Sequence, residues 1–367
     1  MNNATEFTEA EQAGPAASGS LPLREKFFGS VAGSQIGAAM AAVTQTWPYD
    51  RIEKEYGTLD KLVAYEKGWK RDPGTTEACV ERQKLMITAI VERQDRVTAD
   101  DVKRIWVRDV KADLAPMIFE PFEVTLFTIA RSGIPAGDIG RYCDYSGLSL
   151  LAASCQPVGM INAGDMQGAV DDVNELGQLY QTAASRGVQW GTVVAAAVAA
   201  ACEPAATVDS VLAAITKFGA RGATGELNRS LKSTVDCKNF RDLRKAFDAI
   251  YNSEGPPYAW LYAPEVVAKG VCIFRMVKGN AKDAIIASAN MGRETASVAA
   301  IAGGLCGALS GAGSIPDEWI KQVDQAAIAN KYTNNRRTLR ESADGLHKAF
   351  QARLGRMKAH YEKMATA

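Results

Sequence analysis

The stretch Gly29-Ser-Val-Ala-Gly-Ser-Gln-Ile-Gly-Ala-Ala-Met-Ala-Ala-Val-Thr-Gln-Thr-Trp47 decides the fold. Gly29, Gly33, Gly37, Ala38, Ala39, Ala41 and Ala42 run through a segment whose apolar residues recur at helical spacing, so it reads as a helix dense in small side chains. A late segment, Thr295 to Ser310, has the same character, with Ala299, Ala300, Ala302, Gly303, Gly304, Gly307 and Ala308. Glycine costs a helix about 1 kcal/mol relative to alanine, so this density needs a reason. Close contact between helix backbones is the plainer reason, and a ligand that approaches the backbone closely is the sharper one.

Outward from these two segments the same periodicity continues. Helices are expected at Arg24 to Thr44, Thr76 to Arg93, Ala99 to Ala112, Met166 to Ala184 and Val188 to Ala201. Others follow at Lys238 to Tyr251, Pro264 to Lys278, Ala281 to Met291 and from about Asn334 to the end. Continuous β-branched runs bounded by turn signals are nearly absent, which predicts an all-α fold, a single compact helical bundle over 22–330. Residues 1–21, rich in Ala, Gly, Ser, Glu and Asn, read as a disordered tail, and 331–367 as a basic C-terminal helix packed on the bundle or extending from it.

With 42 basic and 42 acidic side chains in 367 residues, no global field draws the chain to nucleic acid or to an anionic membrane. The nine Lys or Arg against three acids from Lys331 to Lys363 read as a solvated face, because aromatic interleaving is missing. The longest apolar run, Val193 to Cys202, is too short to span a bilayer. Seven scattered cysteines with no CxxC pair argue against a disulfide framework and a zinc site, and fit a reducing cytoplasm. Monomer and dimer are equally compatible with the sequence.

Four blocks in order carry a family resemblance over about Leu23 to Gln325. They are Gly33-Ser-Gln-Ile-Gly-Ala-Ala-Met to Trp47, Gly74-Thr-Thr-Glu-Ala-Cys-Val-Glu-Arg-Gln to Met86, Pro157 to Ala169 with its Asn162-Ala-Gly-Asp165 core, and Asn290-Met-Gly-Arg-Glu-Thr-Ala-Ser to Gly304. Together they resemble the ADP-ribosylglycohydrolase family: its GxxxGDAxGxPxE opening, a T-E-D-G-x-E-R-Q form of its metal motif, its N-A-G-D segment and its G-R-D-T-D motif. The resemblance implies the family's helical fold, two magnesium ions held by the first, second and fourth blocks, and hydrolysis at the anomeric carbon of a ribose. Magnesium is a hard ion that takes near-octahedral oxygen ligands, so a pair of ions needs several carboxylates.

Position by position, this chain departs from the pattern. Ala38 stands for the aspartate of GD, Gln45 for the glutamate at the helix exit, Ala78 for the aspartate of T-E-D, Glu294 for the first aspartate of D-T-D and Ala296 for the second, while Cys79 replaces the motif glycine. Thr76, Glu77, Glu81, Arg293, Thr295 and Ser297 are kept. Losses in all three metal-bearing blocks predict that the two-metal mechanism is gone and that no cofactor is needed, with a single weakly held ion on Glu77 and Glu294 as the lesser alternative.

Three function classes follow. The first is a repurposed, metal-independent enzyme working through a cation-like centre, with Glu77, Glu294, Glu81 and Asp165 as the acids of the site and aromatic faces such as Trp47, Tyr49, Tyr258, Trp260 and Tyr262 near it. The second is a binding protein that keeps a ribose or nucleotide cleft, with Gln45, Trp47, Thr76, Cys79, Asn162, Arg293 and Ser297 as ligand contacts. Either takes a small molecule in a central cleft lined by the motif helices. A nucleic-acid or partner-binding module ranks last. Cys79 as a nucleophile lacks a histidine nearby in sequence, since His347 and His360 both lie near the C-terminus, and it reads instead as a small apolar filler.

Overall fold

The structure is a computed structural model and describes residues 21–64, 71–251 and 261–366. The N-terminal tail, save Leu21, and the aromatic candidates Tyr258 and Trp260 lie outside the described residues. Among those described, the architecture is all-α: helices follow one another with two isolated β-bridges, Val110 with Thr333 and Leu148 with Tyr262, and no strand.

Two small-residue helices, Leu23–Ala41 and Thr295–Ser310, form the centre, and the glycines explain how. A methyl group on Gly29 would fall 2.3 Å from the Gly307 carbonyl oxygen, on Gly33 2.1 Å from that of Gly303, and on Gly37 2.6 Å from that of Ala299. The partner numbers fall as the first helix advances, so the helices are antiparallel and touch backbone to backbone. Contact this close gains dispersion along the whole interface and offsets the propensity cost of the glycines. Of the two reasons for the small residues, helix packing is the one seen.

Around this pair pack Ala281–Ala289, Ala263–Met276, Arg186–Ala201 and Ala78–Arg93. The buried Lys26 donates to the carbonyls of Ala201 and Glu203 at the end of the Arg186–Ala201 helix, where the unsatisfied carbonyls suit a cation. The segment Leu23–Thr44 is long and apolar enough to cross a membrane by length and composition, and its whole apolar window is buried inside the fold. All seven cysteines are free thiols.

Helix ends shift where local chemistry overrides periodicity. The helix expected over Met166 to Ala184 stops at Leu176, where Gly177, with no room for a side chain beside Val188 and Leu151, opens a 3₁₀ turn. Further helices, among them Tyr49–Tyr56, Pro121–Ala130, Val208–Phe218, Arg221–Ser233 and Asp317–Ile328, are short, and several are too polar to stand out by apolar content. The last helix, Leu339–Ala365, is docked over its first half, where Phe27 meets His347 and Phe350 edge to face at 5.9 and 6.0 Å. From Leu354 to Thr366 every residue is exposed.

Candidate active site

The antiparallel centre brings the exit of the first helix to the entry of the late one, so Gln45 meets Glu294. Thr295 Oγ1 donates to the Ala41 carbonyl at 2.9 Å and lies 3.2 Å from Thr44 Oγ1, which clamps the two ends together. Thr46 and Arg293, the sequence neighbours of Gln45 and Glu294, both have positive φ, +67° and +64°. Their backbones are cross-linked: Thr46 N–H donates to the Arg293 carbonyl and Arg293 N–H to that of Trp47, each at 2.8 Å. Two non-glycine residues in this region carry strain that only the surrounding packing holds.

Glu294 caps the Thr295–Ser310 helix. One carboxylate oxygen accepts from Ser297 N–H at 3.2 Å and Ser297 Oγ at 2.7 Å, the other from Gln45 Nε2 at 3.2 Å. Burial pushes its carboxyl up to about 7; the Ser297 hydrogen bonds oppose that, nearby Glu77 adds to it, and Arg82 lowers it slightly. A carboxyl that holds its proton near neutral pH is a usable acid or base.

Gln45, Glu77, Ala78, Cys79, Arg82, Glu120, Glu123, Glu294, Ala296 and Ser297 surround a cavity of about 40 Å³. Glu77 precedes the Ala78–Arg93 helix and takes Arg71 Nη1 at 2.8 Å. Arg82, one turn further on, is buried and ion-paired with Glu123, which also caps the Pro121–Ala130 helix by accepting from Glu120 N–H at 3.0 Å. Arg82, Glu120 and Glu123 were missed in sequence reading. Arg82 stands in the quoted Glu-Arg-Gln run, and the Glu120-Pro121 helix start is the signal for the other two.

Four of the candidate acids and contacts, Glu81, Thr76, Asp165 and Asn162, lie away from this cavity. Glu81 and Thr76 belong to a different cavity, of about 210 Å³, with Arg71, Lys84, Asn330 and Lys331. There Glu81 accepts from Lys84 Nζ at 2.9 Å and from Asn330 Nδ2 and Thr333 Oγ1 at 2.8 Å each, so it is a buried structural ion pair and not a surface one. Burial raises its carboxyl, but Lys84 and the two amide and hydroxyl donors outweigh that and hold it below its ordinary value. Asp165, 47% exposed, caps Met166–Leu176 by accepting from Gly168 N–H at 2.9 Å and pairs with Arg353 at 3.2 Å. Asn162 donates to Asp172 at 2.6 Å and accepts from Arg353 at 2.7 Å. The Asn-Ala-Gly-Asp segment therefore anchors the C-terminal helix and does not line the cavity.

Trp47 and Arg293 engage partners outside the cavity. Trp47 stacks on Tyr56 at 6.2 Å and carries the Arg51 guanidinium 3.6 Å from its ring centre, while Arg293 grips Glu265 with two hydrogen bonds of 2.7 and 2.8 Å. Neither side chain is among the cavity walls. Cys79 does line the cavity, but burial pushes its thiol up to about 12, and it packs with Ala38, Val80, Ala153 and Ala300 in a small apolar cluster.

A magnesium pair is implied by the family resemblance, and the residues present do not fit one. Ala38 is sealed in that apolar cluster, Ala78 and Ala296 present methyl groups to the cavity, and the Arg82 guanidinium occupies its wall. Among the described residues no three His, Cys, Asp or Glu side chains are placed to hold a metal ion.

The family profile for ADP-ribosylglycohydrolase matches residues 20–355. This chain belongs to the ADP-ribosylglycohydrolase family. It is similar to the uncharacterized protein YegU of Escherichia coli (strain K12), 21% identical over 318 residues that cover 82% of this chain and 92% of that one. In fold it is similar to a solved structure described as an ADP-ribosylglycohydrolase-related protein complex, with a TM-score of 0.62, 15% identity, and coverage of 90% of this chain and 98% of the other.

Proposed function

We propose that this family member is a repurposed enzyme that has lost the magnesium pair and acts on a small molecule through a cation-like centre, with the Glu294 carboxyl as its proton donor and acceptor. The observation that carries the reading is Glu294 itself: buried, without a hydrogen-bonded cation, and held near 7 in a cavity whose other walls are Glu77, Glu120 and Arg82. Glu77 and Glu120 would stabilise developing positive charge, as paired carboxylates in different surroundings do in metal-free glycoside cleavage. A cavity of about 40 Å³ accommodates the reacting end of a ligand and not a whole nucleotide, so the rest of the molecule would lie outside it.

A second reading, a non-catalytic ribose- or nucleotide-binding protein, draws on the ion pairs Arg71 with Glu77 and Arg82 with Glu123, which tie up two of the acids. One experiment separates the readings. The protein is assayed on ADP-ribosyl N- and O-glycosides with EDTA present, alongside Glu294→Gln. Activity that persists in EDTA and collapses in the variant supports the enzyme; ligand binding with no turnover in either supports the binding protein. Activity that EDTA abolishes and magnesium restores would sink both.

A further inference from the structure

The Leu339–Ala365 helix carries one apolar seam along its whole length, and the fold covers only half of it. Leu339, Ala343, Leu346 and Phe350 are buried against the bundle. Leu354, Met357, Tyr361 and Met364 continue the series and are 46, 53, 73 and 60% exposed. At 3.6 residues per turn these eight positions fall within about 80° of arc, so the exposed four lie on the very face that docks one turn earlier. Their spacing of three, four and three residues is that of a coiled-coil seam.

We propose that residues 354–364 dock a helix of a partner protein whose own apolar seam is flanked by acidic side chains. Continuity with the docked half argues for a helix as the occupant: the same seam already packs against the helix that carries Phe27. Its narrowness argues against a membrane surface, which selects a broad apolar face. Charge argues against a second copy of this chain. Arg356 and Lys358 lie on opposite sides of the seam, with Lys363 behind; Arg356 pairs with Asp95 at 2.8 Å and Lys358 with Glu362, the single acid of the segment, at 3.9 Å, but both pairs are exposed and therefore weak, so the segment stays net basic. Two such helices side by side would set basic flanks against basic flanks, whereas Glu or Asp at the flanking positions of a different helix would complement them.

The test uses the full-length chain and two synthetic three-heptad peptides, both with leucine in the seam, one with glutamate and one with lysine at the flanking positions. The expected result by fluorescence anisotropy is binding of the acidic peptide at least tenfold tighter than of the basic one. Loss of that binding is expected in the double variant Met357→Lys, Tyr361→Lys, whose melting temperature is unchanged because both side chains are exposed. Equal or absent binding of the two peptides overturns the proposal. So does sedimentation showing a micromolar dimer of the chain that the double variant dissolves, or binding to phosphatidylserine vesicles without binding to the acidic peptide.

Discussion

Glu81 and Glu294 are the same side chain, equally buried, both inherited from metal-bearing blocks, and their carboxyls move in opposite directions. Around Glu81 stand a cation and two neutral donors, Lys84, Asn330 and Thr333, which together overcome burial. Around Glu294 stand Ser297 and Gln45, which are neutral, and burial prevails. Burial alone always disfavours the charged form; a paired cation decides whether a buried acid becomes structure or a candidate for chemistry. Glu81 is held by the scaffold, whereas the Glu294 carboxyl is pushed up toward neutral pH.

The contrast can be broken in several ways, the largest effect first. Glu294→Gln is expected to lower turnover by roughly 10²–10⁴-fold, the usual contribution of a positioned acid or base, with the melting temperature at pH 7 unchanged or higher. Full activity in that variant would remove Glu294 from the mechanism. Glu81→Gln is expected to cost about 3–5 kcal/mol in urea unfolding, because it leaves the Lys84 ammonium buried without its counter-charge. A loss below about 1 kcal/mol would show that the pair is not the anchor described here.

Acid and base titration of stability separates the two groups by sign. The folded-state carboxyl of Glu294 is raised above its ordinary value, so the stabilisation it contributes is present below 4.5 and is lost as pH rises through about 7. Relative to wild type, Glu294→Gln should therefore gain stability between pH 5 and 8, by up to roughly 3 kcal/mol at 1.36 kcal/mol per unit. Glu81, held low, contributes stability above 4.5 that is lost as pH falls, so the gap between wild type and Glu81→Gln should close toward pH 3. Parallel stability curves for wild type and Glu294→Gln would contradict the raised carboxyl.

Smaller effects test the outlying residues. Asp165→Ala removes a helix cap and an exposed ion pair, and should cost about 1 kcal/mol while leaving any turnover intact, which distinguishes it from the cavity acids. Millimolar magnesium is expected to raise the melting temperature by about 1 °C or less, since a tightly bound ion would stabilise the native state by mass action. A saturable rise of several degrees would show that Glu77 and Glu294 still hold a metal.

Much of the fold was legible along the chain. Gly29, Gly33 and Gly37 recur every four residues, one face of a helix, and the late segment repeats small residues in the same way, so the two small-residue faces follow from local pattern, while their contact with each other is seen only in the fold. The helix Thr295–Ser310 matches its expected bounds because Glu294 and Gly311 punctuate it clearly. The end of Met166–Leu176 was not legible, because what crowds Gly177 there, Val188 and Leu151, comes from other segments of the chain.

The candidate site divides along the same line. That Ala38, Ala78 and Ala296 stand where the resembled motifs carry aspartates could be read one position at a time. Which acids then meet could not. Glu77, Glu81 and Asp165 looked equivalent in sequence, yet Glu81 is claimed by Asn330 and Thr333, Asp165 by Arg353, and Glu77 alone reaches the Glu294 cavity. Arg82 and Glu123 were hidden for the same reason, being 41 positions apart and joined only by packing. The sequence by itself determined the helices and their small-residue faces, because these depend on spacing within one segment. Tertiary structure decided which acids share the candidate cavity and in which direction each carboxyl is shifted, because a buried carboxyl answers to whatever distant residues the fold sets within about 3 Å of it.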